Sequence, residues 1–331
     1  MRYFYCQSYQ AFNLALQMNT HQEVTVVTCS ENIAKAAQYL NISLLIHKAF
    51  TYPQLVRSKK SVLHEINRIL SIIGESELHF SHTQFAVFLF LLINVAERQK
   101  RKLVFHNFEF VYNRKRFIFP SNRARLYLLF VKSWLEIRYR APLEFGYSNP
   151  GTFMICLKKC FLTKTTIQLI EDKEAYFETT LEYFKELKVK QYEIQNLLIA
   201  VDFYNIEFFN ITVVEDVLSL LNKENVYIKN HPKVEIKRTD LLNRMKVLPD
   251  FLPVELFFAS VRGLVISFHS ASLVTASKFD NLTAVSLLKI VGHDTEFRRK
   301  VMADLTLKSG ARIVFPDTVE EFKLLLYAQL H

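Results

Sequence analysis

Short apolar stretches at strand spacing alternate with longer amphipathic stretches, and this rhythm runs twice along the chain. Arg2–Cys6, Glu23–Cys29, Ile42–His47, Leu103–Phe108 and Thr166–Ile170 are strand-like in the first half. Helical spacing separates them, at Phe12 and Leu16 and again from a Ser30 cap through Ala34, Ala37 and Leu40. Leu197–Asp202, Val226–Lys229, Leu264–Phe268 and Ala311–Phe315 restart the pattern, with helices over Val213–Leu221, Asp240–Met245, Ala271–Lys278 and Val319–Leu330. A strand that is followed by a helix and then another strand builds a parallel sheet covered on both faces. The 331 residues suit two such domains better than one. The expectation is an α/β chain with a domain over 1–192 and another over 193–331 that ends in a closing helix. Gln191–Asn196 reads as the linker, a helix is expected over Ala175–Val189, and Val111–Pro150 as irregular before order returns at Thr152–Leu157.

Composition excludes several alternatives. Only 6 Gly are present, with no G-x-G-x-x-G and no G-x-x-x-x-G-K-[ST], so a glycine-rich phosphate loop is not expected. Cys6, Cys29, Cys156 and Cys160 lack metal-ligand spacing and read as reduced thiols. The opening MRYFYCQSYQ has neither the apolar core nor the cleavage site of a signal peptide. The most apolar run, Phe85–Ala96, is about half the ~20 residues that span a bilayer, which makes it a core helix. Net charge is +10, and residues 97–140 hold 12 Lys or Arg against 3 acids. Such a stretch suits a polyanion or an anionic membrane surface. A solvated face is the bland alternative.

In parallel sheets, ligands meet the carboxyl ends of strands, and three constellations fall there. Lys229-Asn230-His231-Pro232 ends one strand, placing a cation and an imidazole where a phosphate leaving group needs charge and a proton. The run from Gly263 to Phe279 passes from a buried strand into a serine turn, where Ser270 and Ser272 offer hydroxyls at a helix start. Ser270 reads equally as an ordinary N-cap, and His269 as a core or turn histidine. Between the two, Glu255 of Pro253-Val254-Glu255-Leu256 can accept ribose hydroxyls or serve as an acid in a first helical turn. The third constellation is Glu171-Asp172 after Ile167–Ile170. It can supply a general base whose pKa is raised by its like-charged neighbour, or simply cap a helix.

Taken together, Glu171-Asp172-Lys173, His231-Pro232 and Ser270 with Ser272 resemble the D/E-D/E-G, HP and Ser-Ser/Thr motifs of bacterial GT-B sialyltransferases and polysialyltransferases. The opening YFYCQSYQAFNLAL is similar to the start of lipooligosaccharide sialyltransferases. The resemblance implies a GT-B enzyme, two Rossmann-like domains facing across a cleft, with the acceptor bound in the first and a CMP-sugar donor in the second. It implies inverting transfer of sialic acid, or a related nonulosonic acid, to a hydroxyl of lipooligosaccharide or capsule glycan. Glu171 (or Asp172, since Lys173 replaces the motif's glycine) is then the base. His231, Ser270 and Ser272 hold or protonate the CMP phosphate, with Lys229, Pro232 and Glu255 completing the donor site. No D-x-D run occurs, so neither a metal nor another cofactor is expected.

The expected location is cytoplasmic, with residues 98–140 holding the protein near anionic membrane beside a lipid-linked acceptor. Nucleic acid is not an expected partner of such an enzyme. Related donors (CMP-Kdo, CMP-pseudaminic or CMP-legionaminic acid, CDP-glycerol) need the same leaving-group machinery. The alternative from another class is a non-catalytic basic module that binds acidic glycan or nucleic acid.

Overall fold

The computed structural model describes residues 1–19, 23–81, 87–106, 145–149, 152–155, 167–170, 192–201, 208–222, 224, 226–230, 243–293 and 295–328. The chain divides into two compact units, Met1–Thr180 and Leu181–His331.

In the first unit the elements are β1 (Arg2–Tyr5), α1 (Tyr9–Asn19), β2 (Val24–Thr28), α2 (Glu31–Tyr39), β3 (Ser43–Ile46), α3 (Tyr52–Arg57), α4 (Lys59–Ile73), β4 (Glu77–Ser81), α5 (Val87–Arg98), β5 (Leu103–His106), β6 (Phe145–Asn149), β7 (Thr152–Ile155) and β8 (Ile167–Ile170). Six strands form one sheet in the order β3-β2-β1-β4-β5-β8. Every pair in it is parallel. Ser30 caps α2, its side chain accepting from the Ile33 N–H. Helix α5 is the apolar run expected to be core: Leu89, Leu91, Leu92, Ile93 and Ala96 are all 0–1% exposed. They pack on Leu78, Phe80 and Phe105 of the sheet. Burying each of the large side chains stabilises the unit by roughly 1.5–3 kcal/mol.

Two features differ from the sequence expectation. Strand β6 lies inside the stretch expected to be irregular, and it pairs with β7 as an antiparallel hairpin outside the parallel sheet. Helix α4 and strand β4 were not anticipated. Val62, Ile66, Ile69, Leu70 and Ile73 give α4 its buried face, whereas the polar Glu77, His79 and Ser81 weaken the strand pattern of β4.

The second unit contains β9 (Asn196–Ile199), α6 (Ile211–Leu221), β10 (Val226–Lys229), β11 (Lys246–Val247), a 3-10 helix (Val254–Ser260), β12 (Leu264–Ser267), α7 (Ser272–Ala276), β13 (Thr283–Ser286), α8 (Leu288–Val291), α9 (Glu296–Ser309) and α10 (Val319–Ala328). Its sheet has the order β11-β10-β9-β12-β13, again wholly parallel. The strand order reverses between β9 and β12, the position at which parallel sheets of this kind bind ligands beyond their carboxyl ends.

Three expectations are corrected here. The presumed linker is already structured at Ile194, which is buried and bridged to Val261 because it is apolar and leads directly into β9. Residues 243–245 form a turn into β11 rather than the end of a helix. The presumed strand Ala311–Phe315 reduces to one bridge, Val314 to Val285. Gly310 and Ala311 both have positive φ, 61° each, and two left-handed residues cannot begin a strand. Strand β13 and helix α9 were also missed.

Gly263 is required by close approach. A Cβ on Gly263 would lie 2.6 Å from the Gln195 carbonyl oxygen and 2.7 Å from Asn196 Oδ1. Asn196 Oδ1 accepts the Leu264 N–H at 2.9 Å. The entry of β12 is thereby pinned against β9.

Candidate active site

At the carboxyl edge of the second sheet the polar residues are built in from the strand ends. Ser267 closes β12 with its hydroxyl donating to the Ile199 carbonyl at 3.0 Å. Ser286 closes β13 and donates to the Phe268 carbonyl at 2.6 Å. Both serines are fully buried. These bonds stitch three neighbouring strand ends together and hold the loop that follows β12.

Lys229, the last residue of β10, is 3% exposed. Its ammonium donates to the carbonyls of Asn230 and Asp250, each at 3.1 Å. An ammonium has three N–H groups; one holds the neighbouring Asn230 carbonyl, and a second ties the end of β10 to the loop after β11. Burial lowers the Lys229 pKa to about 8, with the charges of Asp250 and Glu255 acting in the opposite direction. Asn230 Oδ1 is buried without a hydrogen-bond partner among the described residues. Such atoms in folded proteins normally have a donor.

Glu255 stands in the first turn of the 3-10 helix, and its Oε1 accepts from the Ser272 hydroxyl at 2.8 Å. Ser270 Oγ in turn accepts the Ser272 N–H at 3.3 Å. The structure thus brings Lys229, Glu255, Ser270 and Ser272 to one edge of the sheet. It also alters two of the expected local roles. Ser270 is not the cap residue, because α7 starts one residue later, with Ala271 in the cap position. Helix α7 is only five residues long, so few peptide dipoles align at its start. The serine hydroxyls carry the polarity of this turn, and that of the half-buried Ser272 orients a carboxylate. His269 packs against Phe209 and Phe297, at ring-centroid distances of 5.6 and 6.3 Å, in keeping with a turn histidine.

Glu171, Asp172, His231 and Pro232 lie outside the described residues, as do 107–140 of the basic segment, Cys156 and Cys160. Ile170 ends β8 in register with His106 of β5. Cys6 and Cys29 are free thiols. Among the described residues no group of three or more His, Cys, Asp or Glu is arranged to hold a metal ion. No helix there is long and apolar enough to cross a membrane.

Sequence reasoning missed one polar cluster entirely. In the first sheet, His79 Nδ1 and His106 Nε2 are 2.9 Å apart, and His79 Nε2 is 3.2 Å from Glu77 Oε2. Arg2 Nε donates to the same carboxylate oxygen at 3.1 Å. Burial lowers His79 to about 4 and His106 to about 3. The only sequence signal was a histidine in each of two short stretches, the alternating ELHFS and the end of the apolar LVFH.

With this geometry established, comparison with known proteins is informative. Residues 139–289 match the family model described as alpha-2,8-polysialyltransferase (POLYST), a little under half of the chain. Every candidate site residue lies inside that segment. No curated protein matches the sequence. Among solved structures, UDP-GlcNAc 2-epimerase from Neisseria meningitidis bound to UDP-GlcNAc superposes with a TM-score of 0.50 at 11% identity. That alignment covers 98% of this chain and 90% of the epimerase. The glycosyltransferase SnogD from Streptomyces nogalater gives 0.48 at 11% identity, covering 100% and 91%. E. coli heptosyltransferase WaaC with ADP gives 0.43 at 13%, covering 99% and 100%.

Two parallel-sheet α/β units of the GT-B type, together with the family match, define the class: the chain is a glycosyltransferase. Within that class its likeness is to the sialyltransferases, through the segment that matches the alpha-2,8-polysialyltransferases.

Proposed function

We propose that the protein moves sialic acid, or a related nonulosonic acid, from a CMP-activated donor to a hydroxyl of a surface glycan, with inversion and without a metal. The observation that carries this reading is the meeting of Lys229, Glu255, Ser270 and Ser272 at the carboxyl edge of the second sheet, joined by the 2.8 Å Ser272–Glu255 bond. A glutamate held by a serine accepts the two ribose hydroxyls. The remaining N–H of Lys229 and the Ser270 turn offer charge and hydrogen bonds to one phosphate. Asn230 Oδ1 supplies the acceptor that the exocyclic amine of cytosine requires.

In the transfer step the acceptor oxygen attacks the anomeric carbon as the bond from that carbon to the phosphate oxygen breaks. Glu171 or Asp172 takes the hydroxyl proton, and the electron pair leaves on CMP. His231, two residues past Lys229 in the sequence, protonates or holds the departing phosphate, beside Pro232. A lipid-linked acceptor and attachment to the inner face of the membrane through residues 98–140 fit the basic composition of that stretch.

Thermal stabilisation by CMP, CDP, UDP and GDP, each with and without EDTA, tests the donor site. Stabilisation by CMP alone, unchanged by EDTA, is the expected result. A response confined to CDP replaces the donor with CDP-glycerol, and no response to any nucleotide refutes the catalytic reading in favour of a basic binding module.

A further inference from the structure

Helix α9 carries Phe297, Lys300, Val301, Asp304 and Leu305 at i, i+3, i+4, i+7 and i+8, the spacing by which a helix faces a core. The stripe closes only at its far end. Leu305 is 3% exposed, whereas Phe297 and Val301 are half-buried and Lys300 and Asp304 are exposed. Between this stripe and the turn after β12, at His269 and Ala271, lies a cavity of about 430 Å³. That volume falls within the roughly 300–1,000 Å³ of small-molecule sites.

The walls are held by contacts of their own. Thr295 caps α9 by accepting the Arg298 N–H at 3.2 Å, and Arg298 Nη1 donates to the carbonyls of Lys289 and Gly292 at 3.3 and 3.2 Å. The Phe208 ring stacks on Phe297 with centroids 4.4 Å apart. Ala271 joins the cavity to the candidate donor site, because it stands between Ser270 and Ser272 in the turn assigned to the phosphate. Lys229 and Asn230 end β10, on one side of the β9–β12 pair, whereas α9 follows β13 on the other side and packs against α7 and α8. A nucleoside held at Asn230 therefore leaves the cavity to the other substituent of the phosphate, the sugar.

We propose that this cavity takes the sugar of the CMP donor and selects for its acylamido group, an inference that rests on the sialyl-transfer reading above. Nonulosonic acids carry a carboxylate on the anomeric carbon and an acylamido group across the ring, whereas Kdo and glycerol have no acylamido group. The acyl methyl packs among Phe297, Val301 and Leu305. The carboxylate turns to Lys300, whose 2.6 Å pairing with Glu296 lies in solvent and so holds it only weakly. The amide N–H donates to Asp304, which already accepts from Lys308 at 2.7 Å and has further lone pairs. Residues four apart on a helix have Cβ atoms about 5–6 Å from each other, a span comparable to a pyranose ring. Helix α9 lies beyond residue 289, so this wall is no part of the polysialyltransferase likeness.

Calorimetry tests the proposal with three probes: CMP, the non-transferable ring-fluorinated analogue of CMP-N-acetylneuraminic acid, and the same analogue without its acetyl group. Val301→Phe fills the cavity and alters none of Lys229, Glu255, Ser270 or Ser272. It should weaken the acetylated analogue about tenfold or more, while CMP stays within about twofold and the deacetylated analogue within about threefold. Unchanged affinity for the acetylated analogue overturns the proposal. So does an equal loss for CMP, which puts the nucleoside in the cavity, and an equal loss for both analogues refutes the acyl assignment. If Val301→Phe does not fold, Lys300→Met at the exposed rim decides. A loss of about threefold or more for the acetylated analogue with CMP unchanged supports the sugar site, and no change refutes it. A wild-type protein that binds neither CMP nor the analogues refutes the CMP-donor reading itself, and the sugar site falls with it.

Discussion

Acidification from pH 7 to pH 5 should destabilise the first unit through its buried histidine pair. An unfolded histidine titrates near 6.5, whereas burial holds folded His79 near 4 and His106 near 3. At pH 5 the unfolded chain has taken up almost two protons at these sites, while the folded chain has taken up almost none. Stability falls wherever the unfolded state binds more protons, and so it falls as pH drops through 6.5. The loss continues until the folded pKa values are reached. Each histidine contributes on the order of 2 kcal/mol between pH 7 and 5, and the pair on the order of 4 kcal/mol. Domains have total stabilities of roughly 5–15 kcal/mol, so the effect is large. The window is chosen to lie above the carboxylates. Glu65, held near 2 by its hydrogen bond to Arg68, adds its own loss only at lower pH. The assay is amide hydrogen exchange of peptides from β1, β4 and β5 at the two pH values, corrected for the intrinsic exchange rate, together with urea unfolding midpoints. A His79→Phe/His106→Leu variant should lose most of the slope. Equal protection at pH 7 and 5, or an unchanged slope in that variant, would refute the assignment of two neutral buried imidazoles.

Three further outcomes are expected. Ser272→Ala removes the hydrogen bond that orients Glu255 and should weaken CMP binding about five- to tenfold by calorimetry, with little change in melting temperature. CMP affinity should decline as pH rises through about 8, where Lys229 loses its proton, and Lys229→Met should abolish that dependence. Gly263→Ala forces a Cβ against backbone and should cost roughly 1–3 kcal/mol in urea unfolding.

The alternation of strand and helix is legible in the sequence because burial on both faces demands continuous apolar strands such as Val24–Thr28 and Leu264–Ser267, each buried throughout. The same logic placed the polar residues that follow Leu264–Phe268 at the carboxyl edge of the second sheet, where the structure has Ser270 and Ser272. Strands without a continuous apolar run escaped it. Strand β4 lacks the apolar run, and β13, TAVS, has only two apolar residues between polar ends.

What the tertiary structure alone decided are the partnerships. Lys229 meets the carbonyl of Asp250 across 21 residues, Ser272 meets Glu255 across 17, and His79 meets His106 across 27. Nothing local encodes these pairs. They arise because strand order sets which chain ends become neighbours, and that order follows from how all the strands and helices pack, not from any one segment. Residue types at strand ends could therefore be read as chemistry from the sequence, whereas the hydrogen bonds that give each residue its orientation and charge exist only once the sheets are assembled.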